Sequence, residues 1–477
     1  MQNASKRTWA IRLGFALAFI VCTVMLISAD GPQFTVHDKA YYADANLVNF
    51  VRPGLVTDVY WAAIADDGTI RARFKITDPR GLGLDRGGVT TPGTISISLI
   101  AAYIPKGKTQ YVAYTTRTQT SPITNVSAIQ AAGESNGTFT KLGEGDYEYV
   151  FRAKAPAGFD KTATHSIGAY SSRNLTEFDL GTNYDDDVYA FVPDGTAPQT
   201  VRDVIKTETC NRCHDPLALH GGSRRSMELC VLCHTPQTSD PDTGNTVDMP
   251  VMTHKIHMGE HLPSVQAGTP YQIIGFQQSV HDYSEVVFPA GALNCTHCHE
   301  QGKGAAQEDA YLKPNRAACG ACHDNVDFAT GKDHASLPQI SDNQCANCHT
   351  VQGEVEFDIS IMGAHLEPRF SSYLPGTVLE ILAVDNAAPG QKPNVSFSVK
   401  DKSGAPIQAS AMSRLALVFS GPTSDYSIMV TEDARKAACT DDGRCVWTAN
   451  WTIPADAKGT YSVGIEGYRN ITLLPGT

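Results

Sequence analysis

Past its first thirty residues this 477-residue chain has no apolar run long enough to span a bilayer, so any membrane-crossing segment is confined to the N-terminus. Positive charge is not in excess either. Lys and Arg number 38 against 50 Asp and Glu, a formal net charge of −12. That balance speaks against nucleic acid as a partner and leaves open a cationic redox protein or a metal-oxide surface. Low charge overall, at 18%, with 42% hydrophobic residues is an ordinary folded composition and argues against long disorder. Between residues 30 and 198 no stretch of helical period competes with the alternating ones, and no catalytic constellation is found. Cysteine is scarce outside a single pattern. Of the 13, only Cys22, Cys439 and Cys445 fall elsewhere.

The other ten form Cys-x-x-Cys-His five times: Cys210, Cys213 and His214; Cys230, Cys233 and His234; Cys295, Cys298 and His299; Cys319, Cys322 and His323; Cys345, Cys348 and His349. Two thiols three residues apart lie on one side of a short turn, where they can add to the two vinyl groups of one porphyrin. The following His then sits under the ring and supplies the proximal nitrogen to iron. A redox dithiol or half of a zinc site explains one such pentapeptide. Neither explains why a His follows the second Cys every time. The pattern therefore predicts five covalently bound haem c groups.

The length suits about three domains. Lys6, Arg7 and Arg12 precede an uncharged run from Leu13 to Ala29, so residues 1–29 read as a signal peptide or N-terminal anchor. A cleaved signal ranks first, a retained anchor second and a lipid anchor at Cys22 third. Residues 30–200 read as an N-terminal β domain, with strands expected at Thr94–Ile100, from Tyr111, at Tyr147–Arg152 and at Thr164–Tyr170. His165 reads as structural, and Asp185, Asp186 and Asp187 as an acidic solvated loop rather than a cation site. Residues 201–368 form the predicted pentahaem domain, with motif starts 20, 65, 24 and 26 residues apart. At that loading the porphyrins make much of the core, and loops with short helices suffice. Residues 369–477 read as a C-terminal β domain, in which Cys439 and Cys445 close a hairpin as a structural disulfide, with a switchable bridge as the sharper alternative. The expected fold is thus multidomain: two β-sandwich or barrel-like domains flank a haem-packed domain of loops and short helices.

What each haem does depends on the other face of its iron. Besides the five motif histidines, eight lie between 214 and 365: His220, His254, His257, His261, His281, His297, His334 and His365. That supply is enough for bis-His ligation throughout. His220 precedes a Gly pair that lets a loop approach a porphyrin. His254 and His257, three apart, either share a helix face or diverge to two neighbouring haems. His297 lies between two motif cysteines and is sterically unsuited, and His261 reads as solvent-facing. His281 and His365 compete for the fifth place.

The strings CNRCHDPLALHGG, CVLCHTPQ, THKIHMGEHLP, HDYSEVVFP, NCTHCHE, ACGACHD, FATGKDH and GAHLEP together resemble the pentahaem module of the OmcA/MtrC family of outer-surface multihaem cytochromes. THSIGAY before the haems and GTYSVGIEGYRN after them are similar to the family's β segments. The resemblance covers nearly the whole chain after residue 29. It implies closely spaced bis-His haems between β-barrel-like domains, and electron delivery to extracellular acceptors. By the family's pattern His220, His254, His257 and His334 are the distal ligands; His365 is taken as the fifth, with His281 as runner-up. Many members carry two such modules where this chain has one, so it reads as a five-haem form or as part of a ten-haem one.

The expected function is electron transfer to metal oxide, chelated metal, flavin or a partner cytochrome, with no bond-making site required. The expected location is exported, on the outer surface or extracellular, with the periplasm as the alternative and outer-membrane association possible. A reductase with one open-faced haem acting on a small oxyanion is a second hypothesis, and a subunit of a cytochrome filament a third. The plentiful His supply and five intact motifs weigh against the former, and the ligand surplus offers the latter no support.

Overall fold

The computed structural model describes residues 34–472, so the expected leader at 1–29 and Cys22 lie outside the described residues. The chain forms two compact units, Met1–Ala346 and Asn347–Thr477. Among the described residues no helix is long and apolar enough to cross a membrane.

Among the described residues of the first unit, a 3₁₀ turn at Lys39–Tyr41 precedes a short helix, Ala45–Val51, N-capped by the Asp44 carboxylate, an element that the all-β reading of this region did not anticipate. Two four-stranded sheets follow. One runs in the order Val56–Ile64, Thr69–Thr77, Asp146–Lys154, Thr138–Gly143. The other runs Thr182–Phe191, His165–Asn174, Ile95–Tyr103, Val112–Ala113. All neighbouring pairs are antiparallel. Period-two burial puts Ile70, Ala72, Phe74 and Ile76 on one face of their strand, and Tyr147, Tyr149 and Phe151 beside them. Ile95, Ile97, Leu99, Ile167 and Ala169 of the second sheet meet them in one core. Each side chain of this size buried contributes about 1.5–3 kcal/mol, which makes this sandwich the stable part of the unit. The strand expected from Tyr111 is broken: Val112–Ala113 stays in the sheet, while Thr116–Thr120 leaves it to pair with Ser127–Ala131.

His165–Asn174 is buried on both faces, because a second layer covers the outer one. Ile100, Ala102, Tyr111 and Ala113 pack there against Leu229 and Leu232 of the helix Met227–Cys233, which carries the second Cys pair. Gly168 permits this contact. A Cβ there would stand 2.6 Å from Leu229 Cδ1 and 2.8 Å from Leu232 Cδ1.

The three aspartates are not a loop. They lie in the strand Thr182–Phe191, and alternation sends their carboxylates to opposite sides. Asp185 Oδ2 accepts from Thr57 N and Asp187 Oδ2 from Val59 N, which ties the edge strand of the first sheet to the second. Asp186 Oδ2 accepts from Ser226 N and Ser226 Oγ, next to the start of the motif helix. The acidic run is therefore a stitch, and its signature in sequence differs from a solvated loop only through the alternating partners.

The second unit holds two more sheets, in the orders Val378–Asp385, Asn394–Lys400, Arg444–Thr448, Ala438–Cys439 and Ile428–Asp433, Arg414–Gly421, Ser462–Tyr468. Val395, Phe397, Val399, Leu415, Leu417 and Phe419 fill the space between them. Cys439 and Cys445 are direct partners across a hairpin and are joined by a disulfide, with Cys445 fully buried.

Gly168→Val is expected to lower the unfolding midpoint, at a cost of about 1–3 kcal/mol, because two extra methyl groups and a Cβ must fit against Leu229 and Leu232. Thermal unfolding of the purified variant beside the native protein checks this, and an unchanged midpoint would show that the helix is free to move away.

Candidate haem-binding site

The segment 201–368 contributes only Leu229 and Leu232 as buried members of the apolar clusters among the described residues. Several of its large apolar side chains are instead exposed: Phe276 at 82%, Ile340 at 80% and Ile359 at 67%. A segment this long that buries so little of its own apolar surface needs another source of core. Porphyrins held at the five motifs fit that need.

Each motif sits at the end of a short turn. The helices Met227–Cys233, Arg316–Cys322 and Cys345–Cys348 stop on the second cysteine, and a 3₁₀ turn covers Cys295–His297. Ser226 and Asn315 cap two of them through Leu229 N and Ala318 N. In four motifs the His N–H donates to the carbonyl of the first cysteine: His214 to Cys210, His234 to Cys230, His299 to Cys295 and His323 to Cys319, at 2.9–3.0 Å. One helical turn thus presents two thiols and an imidazole together, as thioether attachment under a single ring requires.

None of the ten motif cysteines is in a disulfide. Burial pushes Cys210 and Cys322 up to about 11 and Cys230 up to about 12. Reactive dithiols are marked by lowered values, and burial acts in the opposite direction on these three. Tetrahedral zinc would gather four donors in one place, and among the described residues no group of three His, Cys, Asp or Glu converges in that way.

The histidines instead come in twos. His214 and His257 stand with ring centres 6.4 Å apart, His220 and His234 5.9 Å apart, and His254 and His299 6.3 Å apart. Two imidazoles sharing one metal ion, each about 2 Å from it through one nitrogen, have ring centres roughly 6.3 Å apart. Each pair joins one motif His to one non-motif His. The helix Met249–Met258 supplies His254 and His257, and they face different motif partners. Three residues turn a helix through about 300°, so the two rings diverge by about 60°.

Protonation fits the same role. Nδ1 of His234 lies 2.9 Å from the Val247 carbonyl, and that of His257 lies 2.8 Å from Thr253. His334 Nδ1 reaches Leu337, His349 reaches Ile359 and His365 reaches Ile361, each at a carbonyl oxygen 2.7–2.9 Å away. A carbonyl only accepts, so Nδ1 carries the proton in each ring and Nε2 keeps its lone pair for a metal. Burial pushes His220 and His299 down to about 4, with the facing His234 and His254 adding to it, and burial likewise lowers His234 and His254. These rings are neutral near pH 7, the form that binds metals. Nδ1 of His254 and Nδ1 of His299 are buried without a hydrogen-bond partner, so the protein alone does not hold these two rings.

The remaining histidines differ in their settings. His365 closes the helix Ile361–Ala364, whereas His281 is an exposed hairpin residue whose Nε2 lies 3.1 Å from Ser279 Oγ. His261 is exposed beside Glu260, and His297 turns its ring edge-on to Phe288. His165 is buried among Tyr103, Tyr114, Phe159 and Phe191, with Nδ1 at the Ala163 carbonyl and Nε2 at Tyr114 Oη, both 2.9 Å away. It is structural, as its place inside a strand suggested. The carbonyls of Val247, Thr253, Leu337, Ile359 and Ile361, which orient the rings, were not foreseen. A backbone acceptor leaves no side-chain mark in a sequence.

This is the donor set of a multihaem c-type cytochrome. Residues 202–360 match the family model described as outer membrane cytochrome MtrC/MtrF-like, domains II/IV. The multiheme cytochrome MtrC of Shewanella baltica (strain OS185) is 28% identical over 222 residues, covering 45% of this chain and 29% of that relative. Among solved structures, the outer membrane decaheme cytochrome OmcA superposes with a TM-score of 0.61 at 21% identity, over 87% of this chain and 66% of that one. MtrC from Shewanella baltica OS185 gives 0.54 at 20% identity, over 84% and 63%. The matched part of this chain thus spans less than two thirds of each of these relatives.

Burial lowers the His165 pKa below its unfolded value near 6.5. Its neutral form therefore contributes stability above about pH 6.5 that is lost as pH falls from there through the folded value. His165→Gln is expected to unfold at lower temperature at pH 7.5, with the gap to the native protein narrowing as the pH is lowered to 5. Calorimetry across that range checks the sign, and a gap that widens towards acid would contradict it.

Proposed function

We propose that the chain is an electron-transfer protein that carries electrons through five covalently bound haem c groups, each held between two histidines. The observation that carries this reading is the pairing of three motif histidines with three non-motif histidines at the spacing of one shared metal. On this reading His214 works with His257, His234 with His220 and His299 with His254. His334 serves the fourth site and His365 the fifth. The division into a β domain at 30–200, a haem domain at 201–368 and a β domain at 369–477 belongs to the same proposal.

Haem iron supplies a one-electron ferric–ferrous couple when bound. The chain's own residues do the rest. Ten thiols fix the rings, and paired imidazoles close both faces, so that no face is left for a small substrate. Backbone carbonyls hold each Nδ1 proton and so aim Nε2. The burial that keeps the imidazoles neutral also keeps water away from them. We assign the acceptor to the class met at an exposed haem edge outside the cell: a metal oxide, chelated metal, a flavin or a partner cytochrome. The similarity to outer membrane cytochromes supports export to the outer surface, and the net charge of −12 suits a cationic redox partner.

Haem quantification with low-temperature EPR on the oxidised protein is expected to give five haems per chain, all low-spin. His257→Ala and His365→Ala are each expected to convert one low-spin signal to high-spin, while His281→Ala leaves the spectrum unchanged. A high-spin iron in the native protein, or a response to His281→Ala but not to His365→Ala, would sink the ligand set.

A further inference from the structure

Lys255 sits between His254 and His257 on the helix Met249–Met258. Its side chain is 14% exposed, and its Nζ lies 2.5 Å from Asp324 Oδ2, in a carboxylate 7% exposed. Asp324 directly follows His323, the histidine of the fourth motif. The same carboxylate accepts from Ser264 N at 2.9 Å and from Ser264 Oγ at 2.6 Å, while Lys255 Nζ also lies 5.0 Å from the centre of the Tyr271 ring. The ligand helix packs against the fourth motif's helix, Arg316–Cys322, and the ion pair bridges the two chain segments next to that contact. One pair of side chains therefore adjoins three axial histidines that belong to three different motifs.

A buried ion pair loses in desolvation about as much as it regains by attraction, so stability alone does not account for it. What such a pair supplies is register: each charge is satisfied in one relative placement of the two segments and left unpaired in the others. We propose that Lys255 and Asp324 are positioning residues that fix the spacing between the iron sites of motifs one and three and the iron site of motif four. The inference rests on the ligand assignments proposed above. It concerns the distance over which electrons pass between these sites, not the ligation of any of them.

Lys255→Met, Asp324→Asn and the double variant separate placement from stability. Each single change strands a buried partner and is expected to lower the unfolding midpoint, and the double change is expected to recover most of that loss. Placement is not recovered by neutralising both charges. The double variant is expected to retain five low-spin haems, to shift the EPR components that His257→Ala and His254→Ala identify, and to redistribute photoinjected electrons several-fold more slowly. A double variant with native EPR components and a native redistribution rate would overturn the proposal, whatever its stability. Should the neutral variants load fewer than five haems, Lys255→Arg decides, since it keeps the charge and changes its geometry: shifted components support the proposal and native ones overturn it. Failure of the underlying ligand assignment is recognised separately, by a high-spin iron in the unsubstituted protein.

Discussion

Imidazoles from separate segments of the chain stand in pairs with ring centres 5.9–6.4 Å apart, and the segment around them is arranged to bring each pair together. The spans that close are interleaved: 214 with 257, 220 with 234, and 254 with 299. The pair at 220 and 234 nests inside the first span, and the first and third overlap through the helix Met249–Met258. Overlap makes the closures interdependent. Moving that helix to improve one pair spoils the other, which is why its end is so constrained. Gly259 follows it with a positive φ, and a Cβ there would meet the Val286 carbonyl oxygen at 2.1 Å. Only glycine tolerates both that conformation and that approach.

The interleaved segment has almost no apolar core of its own, so it borrows one. The helix of the second motif lies on the outer face of a finished sandwich, with Leu229 and Leu232 over Gly168 and with Ser226 held by Asp186. The first β domain thereby acts as a template. Its own core at Phe74, Tyr149 and Leu99 is complete without any prosthetic group. It offers a surface on which the second Cys pair and its histidine are held. The buried Arg173 donates its guanidinium N–H groups to the carbonyls of Val51, Arg52, Gly54 and Pro92, and so ties other chain segments to the same strand pair that carries Asp186.

Legibility in the sequence followed the range of the interactions. Strands such as Thr69–Thr77 and Asn394–Lys400 carry a clean two-residue alternation, because one face of each is buried in its own domain. The strand His165–Asn174 is buried without alternation over its first five residues, and the double burial there depends on a helix sixty residues away. The broken strand at Val112–Ala113 and Thr116–Thr120 looks continuous in sequence, since residues of both halves favour extended backbone. The Asp185–Asp187 run looked like a loop because charge density is a local property, whereas the backbone amides of Thr57, Val59 and Ser226 that use it come from two remote segments. At the five motifs the repeated pentapeptide marks where two thiols and an imidazole share one turn. The choice among the other histidines needed three dimensions.

That last difference has a conformational cause. Proximal histidines are delivered by a local device. The His N–H bonds to the carbonyl four residues back, the backbone is ordinary, and the geometry repeats at four of the motifs. Non-motif histidines have no common device. His254 and His257 come from mid-helix and His365 from a helix end. His220 has a left-handed backbone, φ 50°, and Asp333, Ala335 and Ser336 around His334 are left-handed as well. Such residues cost of order 1 kcal/mol or more each and persist only where the surroundings over-determine them. At His220 the left-handed turn accompanies a ring that faces His234 of the second motif helix, so the loop conformation and the pairing of the two imidazoles go together.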